Sequence, residues 1–129
     1  FKQILDGKKE LFVVNDKLGT PTYTVNFAES MFAIVQTELF GLYNMVCEGS
    51  CSRYDVALEF IRLLGLDKKV SIKIVDSEFY KNEYFAPRPD SEKLLNLKLS
   101  VRGINYMKDW RKCLEDYVES FRPYLGISS

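Results

Sequence analysis

Residues 13–26 read Val-Val-Asn-Asp-Lys-Leu-Gly-Thr-Pro-Thr-Tyr-Thr-Val-Asn and join a short apolar strand to an amphipathic helix. The strand, residues 11–14, ends in polar residues, which is where α/β folds commonly place ligand contacts. Gly19 can take backbone angles that are closed to other residues, and Pro21 fixes its own φ and restricts Thr20. We therefore expect this connection to hold one shape and to aim its hydroxyls and charges. Residue chemistry alone leaves a well-made connector as the alternative.

The spacing of apolar and capping residues predicts further helices and strands. Asn26 followed by Glu29 predicts the start of a helix by a capping box. This helix should bury an apolar stripe in the core, formed by Phe27, Ala28, Met31, Phe32, Ile34, Val35 and Leu39. Ser52 followed by Asp55 predicts a second helix, which Gly65 ends. The other predicted elements are a strand at residues 41–46, a half-buried strand with Val70, Ile72 and Ile74 on one face, and a last helix after Asp109.

These elements together predict a single α/β domain over residues 1–129. It is expected to be a small mixed fold of short strands and about four to five helices. Hydrophobic residues make up 47% of the chain and charged residues 28%, proportions that are typical of a globular protein.

Charge and hydropathy exclude several classes of partner. The 18 Lys and Arg residues balance the 18 Asp and Glu residues, so neither a nucleic acid nor an acidic membrane surface is expected to bind. No apolar run approaches the roughly 20 residues that span a bilayer, and no signal peptide is visible. The sequence therefore predicts a cytoplasmic protein.

Histidine is absent, and this removes several kinds of chemistry. Without it the chain cannot build a Ser-His-Asp or Cys-His nucleophile or most zinc sites. The three cysteines are Cys47, Cys51 and Cys113, and the spacing of the first two differs from the C-x-x-C redox motif. We expect reduced structural thiols and no metal site.

Four stretches, in register along the chain, resemble the dTDP-4-dehydrorhamnose reductases of the extended short-chain dehydrogenase/reductase superfamily. Residues 16–23 resemble the family's Asp-Gln-x-Gly-x-Pro-Thr-Tyr segment. The other three stretches are Gly-Leu-Tyr-Asn at 41–44 with Gly-Ser-Cys-Ser-Arg-Tyr at 49–54, Ala-Pro-Arg-Pro at 86–89, and Asn-Leu-Lys-Leu at 96–99 with Gly-Ile at 103–104 and Met-Lys-Asp-Trp at 107–110. The resemblance covers residues 11–118, which is nearly the whole chain.

The resemblance also implies that a part of the enzyme is missing. Members of this family begin with a Rossmann domain that carries a glycine-rich phosphate loop and a Tyr-x-x-x-Lys catalytic pair. Here no two glycines stand two apart, and Tyr84 is followed four residues later by Arg88 instead of lysine. The chain also opens on Phe1. We therefore expect a C-terminal portion that contains no catalytic residue and binds no cofactor, whereas the intact enzyme would use NADPH or NADH.

The substrate-binding residues that the resemblance implies are Asp16, Lys17, Thr20, Thr22 and Arg88. Arg88 lies between two prolines, so its guanidinium is presented from a stiff loop and suits bidentate binding of phosphate. The resemblance assigns it to the diphosphate of a nucleotide sugar. The alternative role of Arg88 is a surface ion pair with Asp90 or Glu92. Lys17 stands where the family usually carries Gln, which puts the identity of the sugar and nucleotide in question.

Two functions follow from the resemblance. The first is the nucleotide-sugar-binding part of an NAD(P)H-dependent 4-ketosugar reductase that serves cell-surface polysaccharide synthesis. The second is a non-catalytic relative, similar to the regulatory subunit of methionine adenosyltransferase. The expected partners are a nucleotide-sugar substrate and the chain's own N-terminal Rossmann domain, and a homodimer is compatible with both functions.

Overall fold

The computed structural model describes residues 2–80, 82 and 89–124 of the chain. These residues form a mixed α/β fold with five helices and short strands, as predicted. The helices are α1 (Lys2–Leu5), α2 (Thr24–Val35), α3 (Arg53–Leu63), α4 (Leu97–Val101) and α5 (Trp110–Phe121). The strands are β1 (Glu10–Val14), β2 (Leu18–Gly19), β3 (Cys51–Ser52) and β4 (Ser71–Val75), and single 3₁₀ turns cover Ser77–Tyr80 and Arg122–Tyr124. No Rossmann sheet occurs in these described ranges.

The chain divides into two compact units. The β unit comprises Phe1–Leu18 and Cys51–Glu92, and the α unit comprises Gly19–Ser50 and Lys93–Ser129.

A parallel pair of strands organises the β unit. β1 and β4 run side by side from Glu10 opposite Ser71 to Val14 opposite Val75. Helix α3 lies between them in the chain and packs against both strands, as a parallel connection requires. The predicted strands at residues 11–14 and around Ile72 are thus confirmed. The predicted burial is only partly right, because Ile74 is exposed.

The capping box predicted for α3 is present. The Ser52 side chain accepts a hydrogen bond from the Asp55 backbone N–H at 3.1 Å, and the Ser52 N–H donates to the Asp55 carboxylate at 2.8 Å. At the other end Gly65 has a φ of +67°, a left-handed conformation that ends a helix at low cost for glycine. Both ends of α3 were therefore correctly predicted from sequence.

The predicted cap of α2 is wrong. The helix begins at Thr24, so Asn26 lies inside it and is buried. The Asn26 Oδ1 atom accepts hydrogen bonds from the Lys108 backbone N–H at 3.0 Å and from the Cys113 thiol at 3.6 Å. The amide therefore binds a distant part of the α unit instead of the first turn of its own helix.

The predicted burial of the α2 apolar stripe is also wrong within this chain. The buried residues of α2 are Asn26 and Ser30. Phe32 and Val35 are 68% and 60% exposed, and Phe27, Met31 and Leu39 are exposed as well. The side of α2 that carries Asn26 is buried, with Lys108 and Cys113 as the hydrogen-bonding partners of Asn26, and the apolar side is exposed.

The strand predicted at residues 41–46 does not form. The backbone of Val46 is bound instead by a side chain, since Asn96 accepts from its N–H at 3.0 Å and donates to its carbonyl at 2.7 Å. The predicted last helix is confirmed as α5, with Asp109 accepting from the Arg111 N–H at 2.8 Å. The apolar core of the α unit contains Cys47, Leu99, Ile104, Met107, Trp110, Cys113 and Val118.

Candidate functional site

The candidate site in the β unit lies where the parallel strands end. Because β1 and β4 are parallel, the residues after Val14 and after Val75 emerge at the same edge. This carboxyl edge is where open α/β sheets bind ligands. The Asp16 carboxylate accepts hydrogen bonds from the Ser77 backbone N–H at 3.0 Å and from the Ser77 hydroxyl at 2.8 Å. These bonds hold the pKa of Asp16 below its ordinary value, so the carboxylate is ionised.

Lys17 lies at the same edge and is joined to the segment that follows Arg88 in the chain. Its Nζ atom lies 2.6 Å from the Asp90 carboxylate, and this hydrogen bond raises the pKa of Lys17. Two backbone bonds accompany the ion pair: the Leu18 N–H donates to the Asp90 carbonyl at 2.9 Å, and the Glu92 N–H donates to the Leu18 carbonyl at 2.8 Å. Lys17 and Leu18 are thus bound to residues 90–92 by one ion pair and two backbone hydrogen bonds.

Thr20 and Thr22 belong to the α unit, where both are half-buried. The Thr22 hydroxyl donates to the Thr20 carbonyl at 3.3 Å and accepts from the Cys47 N–H at 3.3 Å. The Thr20 hydroxyl accepts from the Leu94 N–H at 3.5 Å. Both side chains therefore order the polypeptide around residues 20–22, and their role in binding a ligand stays a prediction.

Arg88 lies outside the described residues, and so does most of the Ala-Pro-Arg-Pro motif. One of the two carboxylates proposed as its surface partners, that of Asp90, contacts Lys17. The structure thus brings Asp16 and Lys17 to one edge of the β unit with Ser77 and Asp90. Sequence reasoning missed Ser77, although its position directly after a predicted strand is the signal that could have found it.

The thiols of Cys47, Cys51 and Cys113 are buried. The sulfur atoms of Cys47 and Cys113 lie 3.3 Å apart, and burial raises the pKa of Cys113 to about 12. A thiol with this pKa stays protonated and unreactive near neutral pH. In the part of the chain that the structure describes, no cluster of acidic or cysteine side chains could hold a metal ion. No helix there is long and apolar enough to span a membrane.

Comparison with known proteins places the chain in a family. The family model described as the RmlD substrate binding domain matches residues 1–122. The chain belongs to this family. A solved structure of a dTDP-4-dehydrorhamnose reductase from Clostridium acetobutylicum superposes on it with a TM-score of 0.85 at 30% identity, covering 94% of this chain and 42% of that one.

Other members of the RmlD substrate-binding family show the same relation. The spore coat polysaccharide biosynthesis protein SpsK of Bacillus subtilis is 32% identical over 117 residues, covering 91% of this chain and 39% of that protein. The dTDP-4-dehydrorhamnose reductase of Mycolicibacterium smegmatis is 27% identical over 118 residues, covering 91% of this chain and 35% of that protein. The dTDP-4-dehydrorhamnose reductase of Bacillus anthracis, solved in complex with NADP, has a TM-score of 0.80 at 26% identity, covering 92% and 40%. The chain thus spans about two fifths of the length of these relatives.

Proposed function

We propose that this chain is the nucleotide-sugar-binding part of an NAD(P)H-dependent reductase of nucleotide 4-ketosugars. The observation that carries the proposal is the match of residues 1–122 to the RmlD substrate binding domain. Relatives of the chain include proteins named dTDP-4-dehydrorhamnose reductase, which supports the same substrate class. The SpsK relative supports a place in cell-surface polysaccharide synthesis. The reaction would take place in the cytoplasm, where nucleotide sugars are made.

The β unit offers features that suit the charged part of such a substrate. Lys17 provides a cation at the carboxyl edge of the parallel strands. In its ion pair with Asp90, the Asp90 side chain is largely exposed. Exposed ion pairs are weak, so a diphosphate can compete for the ammonium. Asp16 holds the loop to Ser77 while Lys17 and Arg88 bind phosphate oxygens. Thr20 and Thr22 carry their hydroxyls in the α unit, and their contact with the substrate stays a prediction from the family resemblance.

The chain lacks the glycine-rich loop that binds a dinucleotide cofactor. A Rossmann domain holds the pyrophosphate with a G-x-G-x-x-G loop at the start of a helix, and no two glycines of this chain stand two apart. The N-terminus of α3 is capped by Ser52 and Asp55, and α5 begins at the Asp109 carboxylate, so neither of these two helices favours an anion. We therefore assign NADP(H) and the proton donor to a preceding Rossmann domain, with which this chain would share the intact enzyme.

A reduction assay on the full-length protein tests the proposal. Purified protein is mixed with NADPH and dTDP-4-dehydrorhamnose, and oxidation of NADPH is followed by absorbance while binding of dTDP is measured by calorimetry. The proposal predicts both turnover and binding. Binding of dTDP without turnover of dTDP-4-dehydrorhamnose would instead favour a non-catalytic relative, and absence of both would refute a site for dTDP-sugars.

A further inference from the structure

Two phenylalanine rings are stacked on the surface of the β unit. The ring centroids of Phe12 in β1 and Phe79 in the 3₁₀ turn lie 5.3 Å apart, with an angle of 12° between the ring planes. Phe12 is 39% exposed and Phe79 is 56% exposed. Their packing therefore leaves a large flat apolar surface in contact with water, which is unfavourable unless another group covers it.

The stacked pair is held in place by polar contacts. The Tyr80 hydroxyl donates to the Phe12 carbonyl at 2.9 Å, and the Tyr80 ring packs edge-on against Phe79 with centroids 5.0 Å apart. The Phe79 N–H donates to the Asp76 carboxylate at 3.2 Å. The rings are thus ordered before any ligand arrives, which lowers the entropy lost on binding.

The pair also lies close in the chain to the proposed phosphate-binding residues. Phe79 follows Ser77 by two residues, and Ser77 is bound by Asp16, the neighbour of Lys17. Lys73, which is ion-paired with Glu10 at 2.9 Å, lies over the Phe12 ring at 5.8 Å. The planar aromatic pair therefore lies in the same unit as Lys17, and Phe79 is two residues from the partner of Asp16.

We propose that Phe12 and Phe79 form a stacking surface for the nucleoside base of the nucleotide sugar. The inference rests on the proposed function and extends it, since Lys17 and Arg88 match the charged groups of the substrate but not its base. A base is planar and stacks on aromatic side chains whatever its identity. Phenylalanine has no hydrogen-bonding edge, so this surface contributes affinity without choosing between bases.

Calorimetry on the full-length protein tests the assignment with two ligands, dTDP and the abasic analogue 2-deoxyribose 5-diphosphate. Phe79→Ala should weaken dTDP binding roughly five- to a hundredfold, the range expected for loss of one stacked base. Phe79→Trp, which keeps a planar ring, should retain most of the affinity. The abasic analogue should bind each variant as it binds the parent protein, and Phe40→Ala, which removes an exposed ring from the α unit, should bind both ligands normally.

Each other outcome overturns the inference. Unchanged dTDP affinity in Phe79→Ala would show that the nucleoside base does not stack on this ring. An equal loss for dTDP and the abasic analogue would assign the rings a purely structural role. Both results would leave the proposed function intact, whereas a parent protein that does not bind dTDP at all would refute the proposed function and this inference together.

Discussion

Asp16 and Lys17 are adjacent in the chain but are held by different partners, Ser77 and Asp90. Each interaction favours the charged form of its side chain, so the loop keeps one negative and one positive charge in fixed places. A fixed cation beside a fixed anion repels a misplaced phosphate as well as attracting a correctly placed one. This arrangement would select the orientation of a diphosphate more than it would raise the affinity.

The lowered pKa of Asp16 gives a prediction for the pH dependence of stability. A carboxyl whose pKa is lower in the folded protein stabilises it above the pKa of the unfolded chain, about 3.9, and loses this effect as the pH falls through the folded value. Ser77→Ala removes one of the two bonds to Asp16, so the pKa of Asp16 should rise toward its ordinary value. NMR titration of the Asp16 carboxyl carbon measures this change. An unaltered titration in Ser77→Ala would contradict the hydrogen-bond explanation.

Arg88 gives the sharpest prediction about binding. Arg88→Ala in the full-length enzyme should raise the KM for the nucleotide sugar about ten- to a hundredfold, because a charge-assisted hydrogen bond contributes roughly 1.5–3 kcal/mol. The KM for NADPH should remain unchanged. Arg88→Lys keeps the charge but loses the bidentate geometry, so its KM for the nucleotide sugar should lie between those of the parent enzyme and Arg88→Ala. An unchanged KM for the sugar in Arg88→Ala would assign Arg88 to a surface ion pair.

Prediction from sequence succeeded where one short motif determined the structure and failed where distant residues did. Ser52 and Asp55 were correctly identified as a cap because both partners lie within four residues of each other. Asn26 satisfies the same local pattern, yet its side chain binds Lys108, more than eighty residues away. No local pattern signals such a partner, so the cap of α2 was predicted wrongly.

At the scale of elements, the capping box of α3 should contribute measurably to stability. Ser52→Ala leaves the Asp55 N–H without its side-chain acceptor and should lower the free energy of unfolding by about 0.5–2 kcal/mol. Urea denaturation of the full-length protein measures the change. Ser120→Ala, which removes an exposed hydroxyl near the end of α5, is the matched control and should be nearly neutral. Equal effects of the two substitutions would count against the cap.

The segment at residues 41–46 shows why the strand prediction failed. Its β-favouring residues, Tyr43 and Val46, suggested a strand, but a strand needs a neighbouring strand to satisfy its backbone. Here the Asn96 amide supplies both a donor and an acceptor to Val46 and takes the place of that neighbour. Propensity indicated a strand, but it could not reveal that the hydrogen-bonding partner of Val46 is a side chain.

At the scale of the whole molecule, the chain resembles about two fifths of each related reductase. We expect the isolated 129-residue chain not to bind NADPH, because it has no glycine-rich G-x-G-x-x-G loop to hold the pyrophosphate at the start of a helix. Calorimetry with NADPH measures this directly, with the full-length protein as the positive control. Measurable binding by the isolated chain would refute the assignment of the cofactor to a preceding domain.

The exposed apolar face of α2 gives the last prediction. Phe32 and Val35 are 68% and 60% exposed, and an exposed apolar face promotes association, so the isolated chain should self-associate. Phe32→Glu with Val35→Lys adds no net charge and should shift the chain toward monomer in sedimentation velocity. Gln36→Glu changes a polar residue at the end of the same helix and should leave association unchanged.

In the full-length protein a preceding Rossmann domain would cover this face, so the double substitution should there lower stability instead of improving solubility. An isolated chain that is already monomeric at high concentration would show that the face needs no partner.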